Sequence, residues 1–226
     1  MGARHFVGGP DMSLALRAGV SWCICARQAV FLDLDRDRYF CLPEALDAIF
    51  RRWVAGEAID PAARDALIAA GVAEPGCVKL PVAAAYPAAT RDLAAGVQGR
   101  SFWKTLAAVA GQFRARRSLK RRSLASIVGD LASGAGDVGT SSDEAVLRRI
   151  AAAFVTSGML LRAADQCLPR AIAAARLCRR HRQEVALILG VRLNPFAAHS
   201  WVQSGDAVVV GDLEQVRLYT PILVVR

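Results

Sequence analysis

The 226-residue sequence lacks the features that mark several large classes of protein. Its six cysteines include no Cys-x-x-Cys pair, and no second cluster of cysteine and histidine completes a zinc site. Its first residues contain no apolar core of signal-peptide length, and no apolar run is long enough to cross a bilayer. We therefore expect a cytoplasmic protein with free thiols, no transmembrane segment, and neither a metal nor an organic cofactor.

Aromatic residues are missing from the most basic stretch of the chain. Residues 114–122 have the sequence Arg-Ala-Arg-Arg-Ser-Leu-Lys-Arg-Arg, in a chain whose formal net charge is +9. Without interleaved aromatic side chains, this stretch offers nothing on which bases would stack, so a nucleic-acid partner is not favoured. The stretch is either a solvated helix face or a patch that meets an acidic partner or a membrane surface.

What is present is enough apolar material for a substantial core. Apolar residues make up 54% of the chain, which argues against disorder, and abundant alanine favours helices. We predict an α+β protein with a first domain over residues 12–80, a Pro-, Ala- and Gly-rich linker over residues 81–99, and a second domain over residues 100–226. Met12 is a candidate start, because Gly8-Gly9-Pro10 before it indicates a disordered extension.

The first domain is predicted to contain three short strands followed by two helices. Short apolar segments bounded by polar turns are typical of strands, and here they cover residues 22–25, 29–34 and 39–42. Pro43 and Glu44 suit the first turn of a helix, and a second helix is expected over residues 61–70, ending at Gly71. This is a small sheet with helices on one side, of winged-helix size.

The second domain is predicted to start with helices and to end with strands. A helix is expected over residues 102–117, and a flexible loop over residues 133–140. A capping box from Ser141 to Glu144 precedes another helix. The end of the chain predicts one helix and four strands, over residues 167–181, 185–191, 197–203, 207–212 and 218–225.

Cys167, His199 and Asp212 occur in the order that a nucleophile, a base and an orienting carboxylate need if one helix packs on one hairpin. Cys167 lies where a helix begins, because Pro169 fits only the first turn. The unpaired N–H groups and the helix dipole there favour a thiolate and can face a developing oxyanion. The sequence therefore predicts an acyl-transfer enzyme, most simply a cysteine peptidase.

The turn signal at residues 204–206 makes the last two of these strands a hairpin, with two possible registers. If the loop is residues 204–205, Asp212 lies one diagonal step from His199. If the loop is residues 205–206, Asp212 lies directly opposite His199. Either register puts both side chains on one face of the sheet, whereas a slip of one residue would separate them.

The alternative for each of these residues is a purely structural role. A cysteine in an alanine-rich helix is more often a core residue, and Cys178 of the same helix is expected to be one. A single histidine on a strand is usually structural as well. Catalysis is favoured because the cysteine, the histidine and the aspartate occur in this order. The alternation of side chains along the strands also puts the histidine and the aspartate on the same face.

The most specific signals are three short runs in the second half of the chain. They are Cys167-Leu168-Pro169-Arg170-Ala171-Ile172-Ala173, Leu189-Gly190-Val191 and Pro195-Phe196-Ala197-Ala198-His199-Ser200-Trp201-Val202. With them, residues 102–226 resemble the lasso-peptide maturation proteases, the B proteins, which are transglutaminase-like or microcin-processing-type peptidases. The resemblance implies a papain/transglutaminase-like core with Cys167 as the nucleophile, His199 as the base and Asp212 as the carboxylate.

The sequence departs from this family at a few positions near the predicted triad. Ser200 stands where the family usually has alanine, and Gln203 stands where it often has glutamate. Arg180-His181-Arg182 replaces the usual Arg-x-Gly after the helix. These departures leave the triad intact and concern the substrate cleft.

The first domain resembles the PqqD-like leader-recognition domain that is fused to such proteases and has a winged-helix-like shape. Family members bind the precursor's leader peptide as an added strand beside the small sheet. The resemblance assigns leader binding to Phe31, Leu32, Leu34, Tyr39, Phe40, Leu46 and Phe50. The alternative is that these apolar side chains only build the core of the domain.

The resemblance implies a cysteine peptidase that removes the leader peptide from a ribosomally made lasso-peptide precursor. The freed core would pass to an ATP-dependent lasso cyclase similar to asparagine synthetase. Two alternatives stay open. The same triad could serve a transglutaminase-type acyl transferase, which passes the thioester to an amine. The chain could also be a non-catalytic winged-helix binding protein, although Arg51 and Arg52 are the only basic residues of the helix expected after Pro43.

Overall fold

The computed structural model describes residues 14–76, 80–96, 101–133, 142–161 and 166–226. The predicted extension before Met12 and all but the first residue of the predicted loop at 133–140 lie outside the described residues. The described elements, in chain order, are β1 (Leu14–Leu16), β2 (Val20–Cys25), β3 (Gln28–Asp33), β4 (Arg38–Cys41), α1 (Glu44–Val54), α2 (Pro61–Ala69), β5 (Ala73–Pro75), β6 (Arg91–Asp92), α3 (Phe102–Leu119), α4 (Leu124–Ser133), α5 (Glu144–Leu160), α6 (Cys167–Arg180), β7 (Ala186–Arg192), β8 (Ala197–Ser204), β9 (Ala207–Val210), α7 (Leu213–Val216) and β10 (Thr220–Val225).

The chain forms two compact units that differ from the predicted domains 12–80, 81–99 and 100–226. The first unit consists of Met1–Val20 and Cys41–Val82, and the second consists of Ser21–Phe40 and Ala83–Arg226. The hairpin strands therefore belong with the C-terminal part. The physical reason is burial, because apolar side chains of β2 and β3 are part of the same core as α6 and β7.

The first unit is a small arrangement of a two-stranded sheet and two helices. Strands β1 and β5 pair antiparallel, with Leu14 opposite Pro75. The predicted helices are confirmed as α1 and α2, and the side chain of Asp60 caps α2 by accepting a hydrogen bond from Ala63 N at 2.8 Å. Because β2, β3 and β4 pack mainly elsewhere, the predicted winged-helix arrangement of three strands with these helices is not found within this unit.

The second unit is built on a five-stranded sheet in the order β10-β7-β8-β9-β6. The pairs β10–β7, β7–β8 and β8–β9 are antiparallel, and β6 is parallel to β9. One face of this sheet shares a large apolar core with α3, α4, α5 and α6. The other face carries a smaller cluster that includes Ile188, Trp201 and Val216. Both faces of β7 and β8 are thus partly covered, which explains the continuous apolar run in β7.

The predicted linker over residues 81–99 is partly built into the second unit. Within it, β6 pairs with β9, and Leu93 is only 1% exposed in the main core. Arg91 also forms ion pairs with Asp206 at 3.1 Å and with Glu144 at 2.9 Å. The hydrogen bonds and charge of Arg91 hold the pKa of Asp206 at about 2. This segment is therefore not a free tether, because its backbone and side chains are bound to the sheet.

Most predicted elements of the C-terminal half are confirmed, with differences at their ends. The helix predicted over residues 167–181 is α6, and the strand predicted over residues 185–191 is β7. Asp143, rather than Ser141, caps α5, accepting hydrogen bonds from Ala145 N and Val146 N. None of the helices in the described part of the chain is long and apolar enough to cross a membrane.

Candidate active site

Cys167 is the first residue of α6, at the end where backbone N–H groups have no partner within the helix. Pro169 occupies the first turn, where its missing N–H costs nothing. Gln166 stands at the cap position, but its side chain caps no N–H group of the helix. The dipole of α6 therefore places partial positive charge near the Cys167 sulfur.

His199 lies near the beginning of β8, directly opposite Gly190 of β7. Its imidazole is stacked near Trp201, with ring centroids 6.3 Å apart, and is tilted against Tyr219 at 5.3 Å. A Cβ atom at position 190 would lie 2.7 Å from Cζ3 of Trp201 and 3.0 Å from Cβ of Tyr219. Only glycine therefore leaves room for the two rings that support the imidazole.

Trp201 is itself held in place by a buried polar side chain. Its indole Nε1 donates a hydrogen bond to Gln203 Oε1 at 2.9 Å. The amide of Gln203 in turn donates to the carbonyl oxygens of Pro87 and Gly205, both at 2.8 Å. Gln203, which stands where the resembling family often has glutamate, thus fixes the aromatic ring beside His199.

Asp212 does not lie on a strand, so it pairs with His199 in neither of the two predicted ways. Ser204 pairs with Ala207, so the loop is residues 205–206, but a bulge follows and Val202 faces Val210. The extra residue of the bulge shifts the pairing by one position. The prediction that the hairpin puts His199 and Asp212 on one face of the sheet therefore fails. Strand β9 then ends at Val210, and Asp212 caps α7 by accepting a hydrogen bond from Gln215 N at 3.0 Å.

The three predicted triad residues nevertheless line one cavity, of about 770 Å³. Several polar atoms of this cavity are buried and lack a hydrogen-bond partner among the described residues: Gln166 Oε1, Arg170 Nε, His199 Nε2 and Ser200 Oγ. Buried polar groups are normally paired, because leaving one unpaired costs about 1–3 kcal/mol. The cavity therefore presents donors and acceptors that a bound substrate would satisfy.

Burial and two neighbouring charges act on the pKa of the His199 imidazole. Burial and then the nearby Arg170 guanidinium lower the pKa of His199 below its ordinary value, and the Asp212 carboxylate partly opposes them. Burial also lowers the pKa of Arg170, whose Nη2 donates to the Phe154 carbonyl oxygen at 3.2 Å. A neutral imidazole can accept a proton from a thiol, so His199 is suited to act as a general base.

A second cavity, of about 420 Å³, also reaches Cys167. It is mostly apolar, and its lining residues are Leu32, Asp37, Tyr39, Leu119, Leu124, Cys167, Leu168, Pro169 and Leu189. Burial and then the charge of the Cys167 sulfur raise the pKa of Tyr39 to about 12. The phenol therefore stays protonated at neutral pH and can only donate its proton in a hydrogen bond towards an anion.

The residues predicted to bind a leader peptide occupy two kinds of position. Tyr39, Phe40 and Leu46 are half-buried. The others are buried, as expected if they only build the core: Phe31 and Phe50 at 0% exposure, Leu32 at 1% and Leu34 at 9%. Strands β2 and β4 form the two edges of the three-stranded sheet, where an added strand would have to pair.

The sequence motifs did not reveal every residue of the site. Arg170 was part of the specific run after Cys167, but nothing indicated that its charge would act on His199. The role of Gly190 could have been suspected, because a glycine inside an apolar strand often marks a close approach. In the described part of the chain, no group of three or more His, Cys, Asp or Glu residues could hold a metal ion.

A cysteine at the start of a helix, packed on an antiparallel sheet that carries a histidine, is typical of enzymes with a cysteine nucleophile. The family model of the transglutaminase-like superfamily matches residues 109–224, and the chain belongs to this superfamily. The match includes α4 to α7, β7 to β9 and nearly all of β10. Neither the curated proteins nor the solved structures include one with significant similarity to the chain.

Proposed function

We propose that the protein is a cysteine peptidase that removes the leader from a ribosomally made lasso-peptide precursor. The observation that carries the catalytic part is that Cys167, His199 and Asp212 line one cavity at the N-terminus of α6. The substrate class rests on the resemblance of the Cys167 and His199 runs to the lasso-peptide B proteins. Membership of the transglutaminase-like superfamily is compatible with both.

The proposed reaction proceeds through a thioester. His199 takes the proton of the Cys167 thiol, and the sulfur attacks the scissile carbonyl carbon to form a tetrahedral intermediate. The N–H groups at the start of α6 stabilise its oxyanion. When the C–N bond breaks, the imidazolium gives its proton to the leaving amine. A water molecule, deprotonated by His199, then attacks the thioester and releases the carboxylic acid and the thiol.

Asp212 has a positioning role in this proposal. Its negative charge opposes the lowering of the His199 pKa, so it stabilises the imidazolium that forms between the two proton transfers. One of its oxygens, Oδ1, is held by the N–H group of Gln215. This bond fixes the carboxylate at the cavity wall, where a residue on a loop alone would be less well oriented.

Leader recognition and transfer of the product complete the proposal. The edge of β4, with half-buried Tyr39 and Phe40, is the place where a leader peptide would add as a strand. The freed core peptide would then pass to an ATP-dependent cyclase, the partner that the resemblance implies. Binding the leader on the same chain as the thiol raises the effective concentration of the scissile bond.

The test uses the cognate lasso-peptide precursor with its leader attached. Incubation with the full chain should give two fragments whose masses sum to the precursor plus one water, and Cys167→Ala should give none. A product heavier by one added primary amine less one ammonia, with no leader released, would replace the peptidase with the transglutaminase-type alternative. Full cleavage by Cys167→Ala would refute the assigned nucleophile.

A further inference from the structure

Cys167 lies at the junction of two cavities of opposite character. Of the described residues, it alone lines both the 770 Å³ cavity with His199 and Asp212 and the 420 Å³ cavity with Tyr39 and Leu189. The first cavity contains the unpaired polar atoms, whereas the second is lined mainly by leucine side chains. A substrate whose carbonyl carbon reaches the sulfur therefore has both cavities within reach.

The chemistry decides which part of the substrate lies on which side. The leaving amine receives its proton from His199, so the segment that follows the scissile bond must start in the polar cavity. The acyl segment stays bound to the sulfur and leads away from the imidazole. The apolar cavity shares only Cys167 with the polar one, so it is the lined space that remains for this segment.

The apolar cavity shares part of its wall with a basic one. Leu119 and Pro169 line both the 420 Å³ cavity and a neighbouring cavity of about 760 Å³. The other residues lining this neighbour are Phe113, Arg116, Arg117, Lys120 and Arg121. Within the described ranges of the chain, none of these four cations forms an ion pair with a carboxylate, whereas the adjacent Arg122 pairs with Asp130 at 2.6 Å. The basic cavity thus offers uncompensated positive charge to a ligand.

We propose that these two cavities select the acyl segment of the substrate, a peptide with an apolar side chain beside the scissile carbonyl and an acidic residue a few positions towards its N-terminus. The apolar side chain enters the space between Tyr39 and Leu189, and the carboxylate meets the cations at the end of α3. This inference rests on the proposed function, because it takes Cys167 as the nucleophile and His199 as the proton donor to the leaving group.

The test uses acetylated peptidyl chloromethyl ketones, which occupy only the acyl side and alkylate a reactive cysteine with loss of chloride. One pair of probes differs only in Leu or Gly beside the ketone. A second set carries Glu or Gln at each of the second to fifth positions from the ketone, since each extended residue spans only about 3.3 Å. The second-order rate of adduct formation at Cys167 is measured by peptide mapping, with glutathione as the reference thiol.

We expect the Leu probe to react with Cys167 about tenfold faster than the Gly probe, from burial of its side chain. The best Glu probe should exceed its Gln partner by about three- to tenfold, a preference that 0.5 M salt largely removes. Leu119→Trp, which fills the apolar cavity, should cut the rate of the Leu probe towards that of the Gly probe.

Charge reversal provides the matched comparison. Arg117→Glu should weaken the Glu-over-Gln preference, whereas Arg114→Glu, on the same helix but outside the basic cavity, should keep it. Equal rates for all probes at a labelled Cys167 would overturn the inference and leave the proposed function intact. If no probe labels Cys167 faster than it labels glutathione, the proposed nucleophile fails, and the inference fails with it.

Discussion

Cys167 and Cys178 lie on the same helix and differ in everything that decides thiol chemistry. Cys178 is completely buried among the alanines of α6, and burial raises the pKa of its thiol to about 12. Cys167 is half-buried, begins the helix and borders two cavities. The comparison teaches that helix position and access, and not the presence of a cysteine in an alanine-rich helix, separate a candidate nucleophile from a core residue.

The largest expected effect comes from removing each sulfur in turn. Cys167→Ala should lower precursor cleavage by about 10⁴-fold or more, because no thioester can form. Cys178→Ala should keep cleavage within a few-fold and lower the free energy of unfolding by about 1–2 kcal/mol, because it leaves a small cavity. Mass spectrometry of the products and denaturant unfolding measure the two effects. A folded Cys178→Ala protein without activity would contradict the distinction.

The second test compares the two thiols within one native protein. Iodoacetamide at pH 7.5 should alkylate Cys167 at least about 10³-fold faster than Cys178, which is both inaccessible and protonated. Peptide mapping at successive times gives both rates from the same sample. In denaturant the two rates should converge, since burial is then lost. Comparable rates in the native protein would remove the physical basis for singling out Cys167.

The third test moves the base and leaves the sulfur untouched. Gly190→Ala forces a methyl group to within 2.7 Å of the Trp201 ring that supports His199. We expect turnover to fall by about 10²-fold and the free energy of unfolding to fall by about 1–3 kcal/mol. Gly129→Ala is the control, because a Cβ there meets nothing within 4 Å. Unchanged turnover in Gly190→Ala would show that the imidazole does not need this support.

The smallest expected effect is a shift in pH dependence. Because only neutral His199 accepts the thiol proton, activity should fall as pH drops through its lowered pKa, so the acid limb lies below about pH 6.5. Arg170→Gln should move this limb up by about 0.5–1 pH unit, and Asp212→Asn should move it down. The inactivation rate by the Leu chloromethyl ketone gives the profile. Arg176→Gln, on the same helix but outside the cavity, should not shift the acid limb. If Arg170→Gln and Asp212→Asn shifted the limb in the same direction, the opposite effects assigned to these two charges would be contradicted.

Much of the secondary structure could be predicted because its signals are local. Pro43, Pro61 and Gly71 mark the helices of the first unit, and the apolar run before Arg192 marks β7. The position of Cys167 at a helix start followed from Pro169 alone. The order of the three site residues and the family resemblance predicted a common site, and the three residues line a common cavity.

The features that sequence did not predict depend on distant partners. The run Ala207–Val210 is uniformly apolar, so nothing in it marks the bulge that changes the register with β8. Strand β6 has two residues, and it forms a strand because it pairs with β9. The apolar segments of β2 and β3 predict buried strands but cannot tell which core buries them.

The interleaving of the two units has a consequence for how such proteins can change. The chain enters the second unit at Ser21, leaves it after Phe40 and re-enters at Ala83. A single genetic crossover at any point therefore cannot exchange one unit whole. Grafting the thiol-bearing unit onto another protein needs two separate pieces of gene, with the strands that carry Leu32 and Tyr39 travelling together with the sequence that starts at Ala83.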